Sequence, residues 1–136
     1  MIGSVIVTHG RLGAELLNTA EFILGRIELI KIVSIDGQGS PDEMHTQIQK
    51  AIKSVDQGQG VLILTDMFGG TPSNLSLSFL AVGEVEVLTG VNLPMIIKLV
   101  QFREKMSLME LAQAIGSYGK KSINVAGEIL SRRAKT

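Results

Sequence analysis

The feature that most restricts the fold of this chain is the short run Val61–Thr65, with the sequence Val-Leu-Ile-Leu-Thr. It lies between Gly60 and Asp66 and shows no alternation of apolar and polar residues. A strand with one face in water alternates, whereas a strand covered on both faces is apolar throughout. The run therefore predicts a central strand of a parallel sheet with helices on both faces.

The rest of the chain alternates strand-like and helix-like segments in a way that fits this strand. Strands are predicted at 2–8, 29–35, 61–65 and 85–89, and helices at 12–24, 41–55, 73–80, 95–103 and 107–117. Such alternation is typical of an α/β fold with right-handed crossovers. We therefore expect a single three-layer α/β/α domain over residues 1–126, with a mostly parallel sheet of four strands plus a short C-terminal strand at Ser122–Ala126.

Composition excludes several classes of function. The net charge is zero, with 13 basic and 13 acidic residues, and only 4 Phe and 1 Tyr are aromatic, so no nucleic-acid surface is expected. The absence of cysteine excludes thiolate metal sites and thiol catalysis. No transmembrane run or signal peptide is recognised, so we expect a cytoplasmic protein without membrane insertion. Residues 127–136 form a basic C-terminal tail, expected to be solvated.

Unusual residues follow three of the predicted strands, at the edge of a parallel sheet where ligands bind. His9 ends the first strand, Asp66 ends the third, and Gly90–Pro94 follows the fourth. His9 alone is compatible with a nucleophile, a proton shuttle, a metal ligand or a structural residue. A carboxylate that accepts from Nδ1–H of an imidazole leaves Nε2 free to attack, so the two residues together form a candidate activated nucleophile. Asp66 is also compatible with a helix cap.

Gly69-Gly70-Thr71-Pro72 supplies a candidate anion site. The glycines allow a ligand to approach the backbone, and Thr71 is expected to cap a helix that starts at Pro72. The same residues are also typical of an ordinary turn before a helix, and no nucleotide-binding motif is present. Asn92 is interpreted as a helix cap and His45 as a surface residue. Because the two histidines are far apart, no metal site is predicted.

A histidine–aspartate pair beside a glycine-rich loop suits a residue that accepts a group and passes it on. Transfer of a phosphoryl group to a histidine nitrogen fits this arrangement, since the protein need only position the group and stabilise its oxygens. Neither a cofactor nor a metal is needed for that chemistry.

At these residues the chain resembles the enzyme IIA component of the mannose/sorbose family of the bacterial sugar phosphotransferase system. The resemblance covers about residues 1–126. It rests on Val-Thr-His-Gly in the first strand, on Leu-Thr-Asp-Met-Phe-Gly-Gly-Thr-Pro-Ser-Asn, and on Thr-Gly-Val-Asn-Leu-Pro-Met. Phe68 and Thr71 replace Trp and Ser of some relatives, and both replacements preserve the relevant contact or hydroxyl.

The resemblance implies a phosphohistidine carrier without a cofactor. His9 would accept a phosphoryl group, on Nε2, from phospho-HPr and pass it to a IIB component, with the membrane components IIC and IID acting downstream. Asp66 would orient His9, and Gly10, Gly69, Gly70 and Thr71 would hold the phosphate. A homodimer is also implied, in which the last strand, at Ser122–Ala126, is antiparallel and exchanged between subunits.

Three alternatives stay open at this point. The protein could be a regulatory phosphoprotein without a transporter, or the phosphoryl-donor subunit of a dihydroxyacetone kinase, although Gly-Gly-Thr-Pro-Ser-Asn favours the sugar family. It could also be a non-catalytic α/β binding module in which His9 contacts a ligand.

Overall fold

Strands and helices alternate along the computed structural model, which describes the backbone of residues 1–135 and the side chains of residues 1–133. The strands are β1 (Gly3–His9), β2 (Ile30–Ile35), β3 (Val61–Thr65) and β4 (Val85–Thr89). The helices are α1 (Leu12–Leu24), α2 (Pro41–Val55), α3 (Thr71–Leu77), α4 (Leu93–Phe102), α5 (Leu108–Lys121) and α6 (Ala126–Lys135). Thr136 and the side chains of Ala134 and Lys135, all in the predicted basic tail, lie outside the described residues.

The four strands form one parallel sheet in the order β2-β1-β3-β4, which confirms the predicted α/β class. The central position of β3 is also confirmed, because all of its residues are buried. In the register of the sheet, Val7 pairs with Thr65 and His9 pairs with Ile35. The chain therefore leaves β1 and β3 at the same edge, which we call the carboxyl edge.

Two apolar clusters cover the two faces of the sheet. One joins Ile2, just before β1, and Ile6 of β1 to helices α1, α4 and α5, and the other joins Val5 and Val7 to helices α2 and α3. Successive side chains of a strand point to opposite faces, so each central strand contributes to both clusters. Among the described helices, none is both long enough and apolar enough to cross a membrane.

Helix starts follow the cap signals of the sequence at α2 and α5. Ser40 accepts a hydrogen bond from the Glu43 amide, and Ser107 forms a capping box with Glu110. At α3 the prediction was wrong, since Gly70 is the cap residue and Thr71 is the first helical residue. A threonine inside the helix cannot cap it, so its hydroxyl is left for another contact.

The predicted strand at Ser122–Ala126 is not formed in this single chain. Residues 123–125 have no regular structure, and α6 follows them, so the tail is helical over its described part. Ile123 and Val125 are 78% and 63% exposed. A strand exists only when a neighbouring strand takes its hydrogen bonds, and within the described residues this segment has no such neighbour.

A buried arginine closes the opposite end of the sheet, which we call the amino edge. Arg103 is only 3% exposed. Its guanidinium donates to the carbonyl oxygens of Ile2 (3.0 Å), Glu28 (2.7 Å) and Leu29 (2.9 Å). It therefore ties the segment after α4 to the starts of β1 and β2.

Candidate active site at the carboxyl edge

His9 and Asp66 are brought together by the pairing of β1 with β3. His9 ends β1 and Asp66 directly follows β3, one residue past the pair Val7–Thr65. The side chain of His9 is 52% exposed, whereas that of Asp66 is 11% exposed. The imidazole is thus open to a partner from solution, while the carboxylate lies behind it.

One carboxylate oxygen of Asp66 holds both the backbone and the ring of His9. Oδ2 accepts from the His9 amide at 2.9 Å and lies 2.7 Å from Nδ1 of the ring. The other oxygen, Oδ1, accepts from the Met67 amide at 3.0 Å. Because an ionised carboxylate only accepts hydrogen bonds, Nδ1 donates to Asp66, and in the neutral imidazole Nε2 therefore keeps its lone pair.

The electrostatics of Asp66 favour its ionised form. Burial by itself raises the pKa of Asp66, but hydrogen bonds from the backbone and ring of His9, its charge, and the Met67 amide outweigh burial and leave the pKa below its usual value. The carboxylate is therefore negative at neutral pH and can stabilise a positive imidazole.

The glycine-rich loop lies against the reactive edge of the ring. A Cβ atom placed on Gly70 would be 3.3 Å from Nε2 of His9 and 2.8 Å from Cε1. Thr71 is exposed, and its hydroxyl makes none of the described hydrogen bonds. The amide of Gly10 is already used, since it donates to the Ile35 carbonyl at 2.9 Å. Gly10 thus shapes the turn, while Gly70 lies beside the free nitrogen and Thr71 follows Gly70 in the chain.

Thr8 belongs to the site although sequence reasoning missed it. Its buried hydroxyl accepts a hydrogen bond of 2.8 Å from the Gly13 amide in the first turn of α1. Arg11, the cap residue of α1, makes no side-chain cap bond, so Thr8 caps the helix from inside the strand. This contact closes the turn that carries His9. The signal was a hydroxyl residue directly before the histidine, with a glycine five residues later.

Two buried hydroxyls flank the loop without a hydrogen-bond partner in the described part of the chain, those of Thr65 and Ser73. Thr65 precedes Asp66, and Ser73 lies in the first turn of α3. An unpaired buried hydroxyl costs on the order of 1–3 kcal/mol. Buried polar groups without a hydrogen-bond partner are expected beside a functional site rather than elsewhere in a protein.

The other polar residues singled out in the sequence lie outside this constellation. Asn92 caps α4 through the Met95 amide and donates to the Gly119 carbonyl. His45 is half-buried rather than on the open surface, because its ring stacks on Phe79 with 4.3 Å between centroids. Among the described residues, no group of three or more His, Asp or Glu could hold a metal ion.

Three apolar side chains, which we call the apolar rim, lie in the segments that leave the carboxyl edge after His9 and Asp66. Leu12, Met67 and Phe68 are all exposed, Phe68 to 73%. Exposed apolar residues beside a reactive group are typical of a surface that binds another macromolecule. This rim suits a protein partner better than a small polar substrate.

Comparison with known proteins gives matches to one group of proteins. The family model EIIA-man, described as the PTS system fructose IIA component, matches residues 3–116. The fructose-specific EIIA component of Bacillus subtilis is 30% identical over 97% of this chain and 91% of its own length. The mannose-specific EIIAB component of Escherichia coli is 31% identical over 90% of this chain, which spans 39% of that longer protein.

A solved structure shows the same fold. The phosphotransferase system component EIIA from Streptococcus agalactiae superposes with a TM-score of 0.85 and 25% identity, covering 94% of this chain and 99% of that chain.

Proposed function

This chain belongs to the EIIA-man family, phosphotransferase components that carry phosphoryl groups in the sugar phosphotransferase system, and from that membership we propose that His9 is its phosphoryl-accepting residue. The observation that carries the proposal is the 2.7 Å contact between Nδ1 of His9 and Oδ2 of Asp66. This contact occupies one ring nitrogen and leaves the other, Nε2, at the exposed edge of the sheet.

The transfer uses the lone pair of Nε2. It attacks the phosphorus atom of a donor phosphohistidine, forming an N–P bond as the donor N–P bond breaks and its electron pair returns to the donor nitrogen. The proton on Nδ1 stays shared with Asp66, whose negative charge stabilises the ring as it becomes positive. The reverse step delivers the group to the acceptor, so His9 is regenerated.

The glycine-rich loop would hold the phosphoryl oxygens. Gly70 lies beside Nε2 and Thr71 follows it in the chain, and none of the described hydrogen bonds uses their amides or the Thr71 hydroxyl. Fixed donors at this position would stabilise the charge on the oxygens during transfer. We assign Gly69 and Gly10 to shaping the loops around the phosphate, since the Gly10 amide is already bonded.

Family membership supports two proposed protein partners. Phospho-HPr is the proposed donor and a IIB component is the proposed acceptor, with IIC and IID reached only through IIB. The apolar rim of Leu12, Met67 and Phe68 supports docking of proteins over His9. With these partners, the protein is proposed to act in the cytoplasm.

The chain is proposed to work as a homodimer. The outer edge of β4 has no neighbouring strand within the described residues, and the exposed Ile123 and Val125 lie in a segment without regular structure. An exchanged antiparallel strand from a second copy would satisfy both features. Sedimentation of the chain at micromolar concentration should give a dimer, and a monomer would contradict this part of the proposal.

Radiolabelled phosphoenolpyruvate with enzyme I and HPr tests the central proposal. The wild-type protein should acquire label that is labile in acid and stable in base, and His9→Gln should acquire none while it stays folded. His45→Gln is the matched control, because it removes the other histidine and should be labelled like the wild type. Label on His9→Gln, or none on the wild type when HPr itself is labelled, would overturn the assignment.

A further inference from the structure

Gly70 differs from its neighbour in the reason it must be glycine. Gly69 has a φ of +93°, a left-handed backbone that other residues rarely adopt. Gly70 has φ −89° and ψ 172°, an extended conformation open to any residue. Backbone geometry therefore does not explain the absence of a side chain at position 70.

The space around Gly70 does explain it. A Cβ atom there would lie 2.8 Å from Cε1 and 3.3 Å from Nε2 of His9, and 3.7 Å from Cγ of Met67. The first two separations are shorter than ordinary contact between non-bonded heavy atoms, about 3.5–4.0 Å. A methyl group at position 70 would therefore occupy space that the imidazole ring now fills.

The ring of His9 is thus held from two sides. Asp66 fixes the Nδ1 side by a 2.7 Å hydrogen bond, and the backbone of Gly70 packs against the Cε1–Nε2 edge. We propose that Gly70 is a positioning residue, whose missing side chain seats the His9 ring so that Nδ1 stays on Asp66 while Nε2 faces an incoming phosphoryl group. The inference rests on the proposed role of His9, and it assigns to Gly70 a function beyond holding phosphate.

Displacement of the ring has a defined chemical consequence. Because His9 is half-exposed, its ring can tilt outward to relieve a methyl group at position 70, at little cost in stability. A tilt lengthens the bond to Asp66 and turns the Nε2 lone pair away from the line of attack. Misplacement of a reacting group by about 1 Å can slow a reaction on the order of 100-fold.

Gly70→Ala is the test, read by three measurements. The rate of labelling from phospho-HPr should fall by about 10- to 100-fold. The ¹⁵N spectrum of the unphosphorylated protein should show the His9 ring leaving the Nδ1-protonated tautomer. The melting temperature should change by less than about 3 °C, because the ring moves instead of the fold. The matched control is Gly127→Ala, where an added Cβ meets nothing within 4 Å, and it should leave the labelling rate and the ring spectrum unchanged.

A double-mutant cycle with Asp66→Asn separates positioning from simple loop damage. If Gly70 acts through the ring, its substitution should cost much less once Asp66 no longer holds Nδ1, so the two effects should not add. Additive effects, or wild-type ring spectra in Gly70→Ala, would overturn the inference. The ring spectra need no phosphoryl donor, so a wild-type protein that accepts no label would count against the proposed function and leave this test intact.

Discussion

The two edges of the sheet each hold a charged side chain, and the chain uses them in opposite ways. At the amino edge, Arg103 is almost fully buried and its guanidinium donates hydrogen bonds to three backbone carbonyls. At the carboxyl edge, Asp66 holds His9, whose ring remains half-exposed. Burial lowers the pKa of Arg103, although the negative charges of Glu104 and Glu28 raise it. In Asp66, burial raises the pKa, but hydrogen bonds from His9 outweigh burial and lower it.

The contrast shows that the two edges of one sheet serve different purposes: contacts at the amino edge stabilise the fold, and contacts at the carboxyl edge orient a reactive group. The Arg103 contacts leave no reactive atom at the surface, so we expect this residue to contribute to the free energy of unfolding and not to transfer. The Asp66 contacts orient a ring whose second nitrogen is free. We therefore expect the two edges to respond to substitution in different measurements.

The largest effect is expected from Asp66→Asn. The amide can donate to Nδ1 and so favour the tautomer in which Nε2 carries the proton and cannot attack. Loss of such an orienting carboxylate should slow phosphoryl acceptance by about 100-fold or more. Rapid-quench labelling from phospho-HPr measures this rate, and a rate within twofold of the wild type would show that the carboxyl edge does not work as proposed.

Arg103→Met changes the amino edge, and we expect it to change the free energy of unfolding rather than the rate of phosphoryl transfer. It leaves the carbonyls of Ile2, Glu28 and Leu29 without their donor. We expect a loss of about 3 kcal/mol in the free energy of unfolding, and a fall of roughly 10 °C in the melting temperature. Urea denaturation and calorimetry measure these quantities.

Arg11→Met is the matched control, because within the described part of the chain the Arg11 side chain makes one exposed 3.3 Å pair, with Glu15. Exposed pairs of this kind contribute little, so its unfolding curve should stay near that of the wild type. Equal destabilisation by both substitutions would remove the distinction drawn for the amino edge. Slower labelling of folded Arg103→Met than of the wild type at 25 °C would also remove this distinction.

A smaller effect is expected from pH. The pKa of Asp66 is lower in the folded protein than in the unfolded chain, so ionised Asp66 stabilises the fold above the unfolded value of about 3.9. This contribution should be lost as the pH falls through the lower, folded pKa. The difference in unfolding free energy between wild type and Asp66→Asn should therefore shrink below about pH 4, as urea titrations at several pH values would show. A difference that stays constant down to pH 2 would contradict it.

Local sequence signals predicted much of the architecture. Caps at Ser40 and Ser107, the apolar run of β3, and the alternation of strands with helices each act within a few residues, so α1, α2, β3 and β4 begin and end where the pattern indicated. The position of His9 and Asp66 at strand ends was equally local. The bounds of three helices differed from the prediction. Helix α3 starts at Thr71 and ends at Leu77, α4 starts at Leu93 rather than Met95, and α5 ends at Lys121 rather than Ser117.

By itself the sequence determined the strand and helix order, the apolar faces, and which reactive residues follow which strand, because these depend on neighbours in the chain. Only the tertiary structure decided the contacts between distant segments. It paired β1 with β3 so that one oxygen of Asp66 reaches both donors of His9, and it set Gly70 against the ring. Within the described residues it also buried Arg103 and left Ile123 and Val125 without a strand partner, since hydrogen bonding and packing space are settled only when separate segments meet.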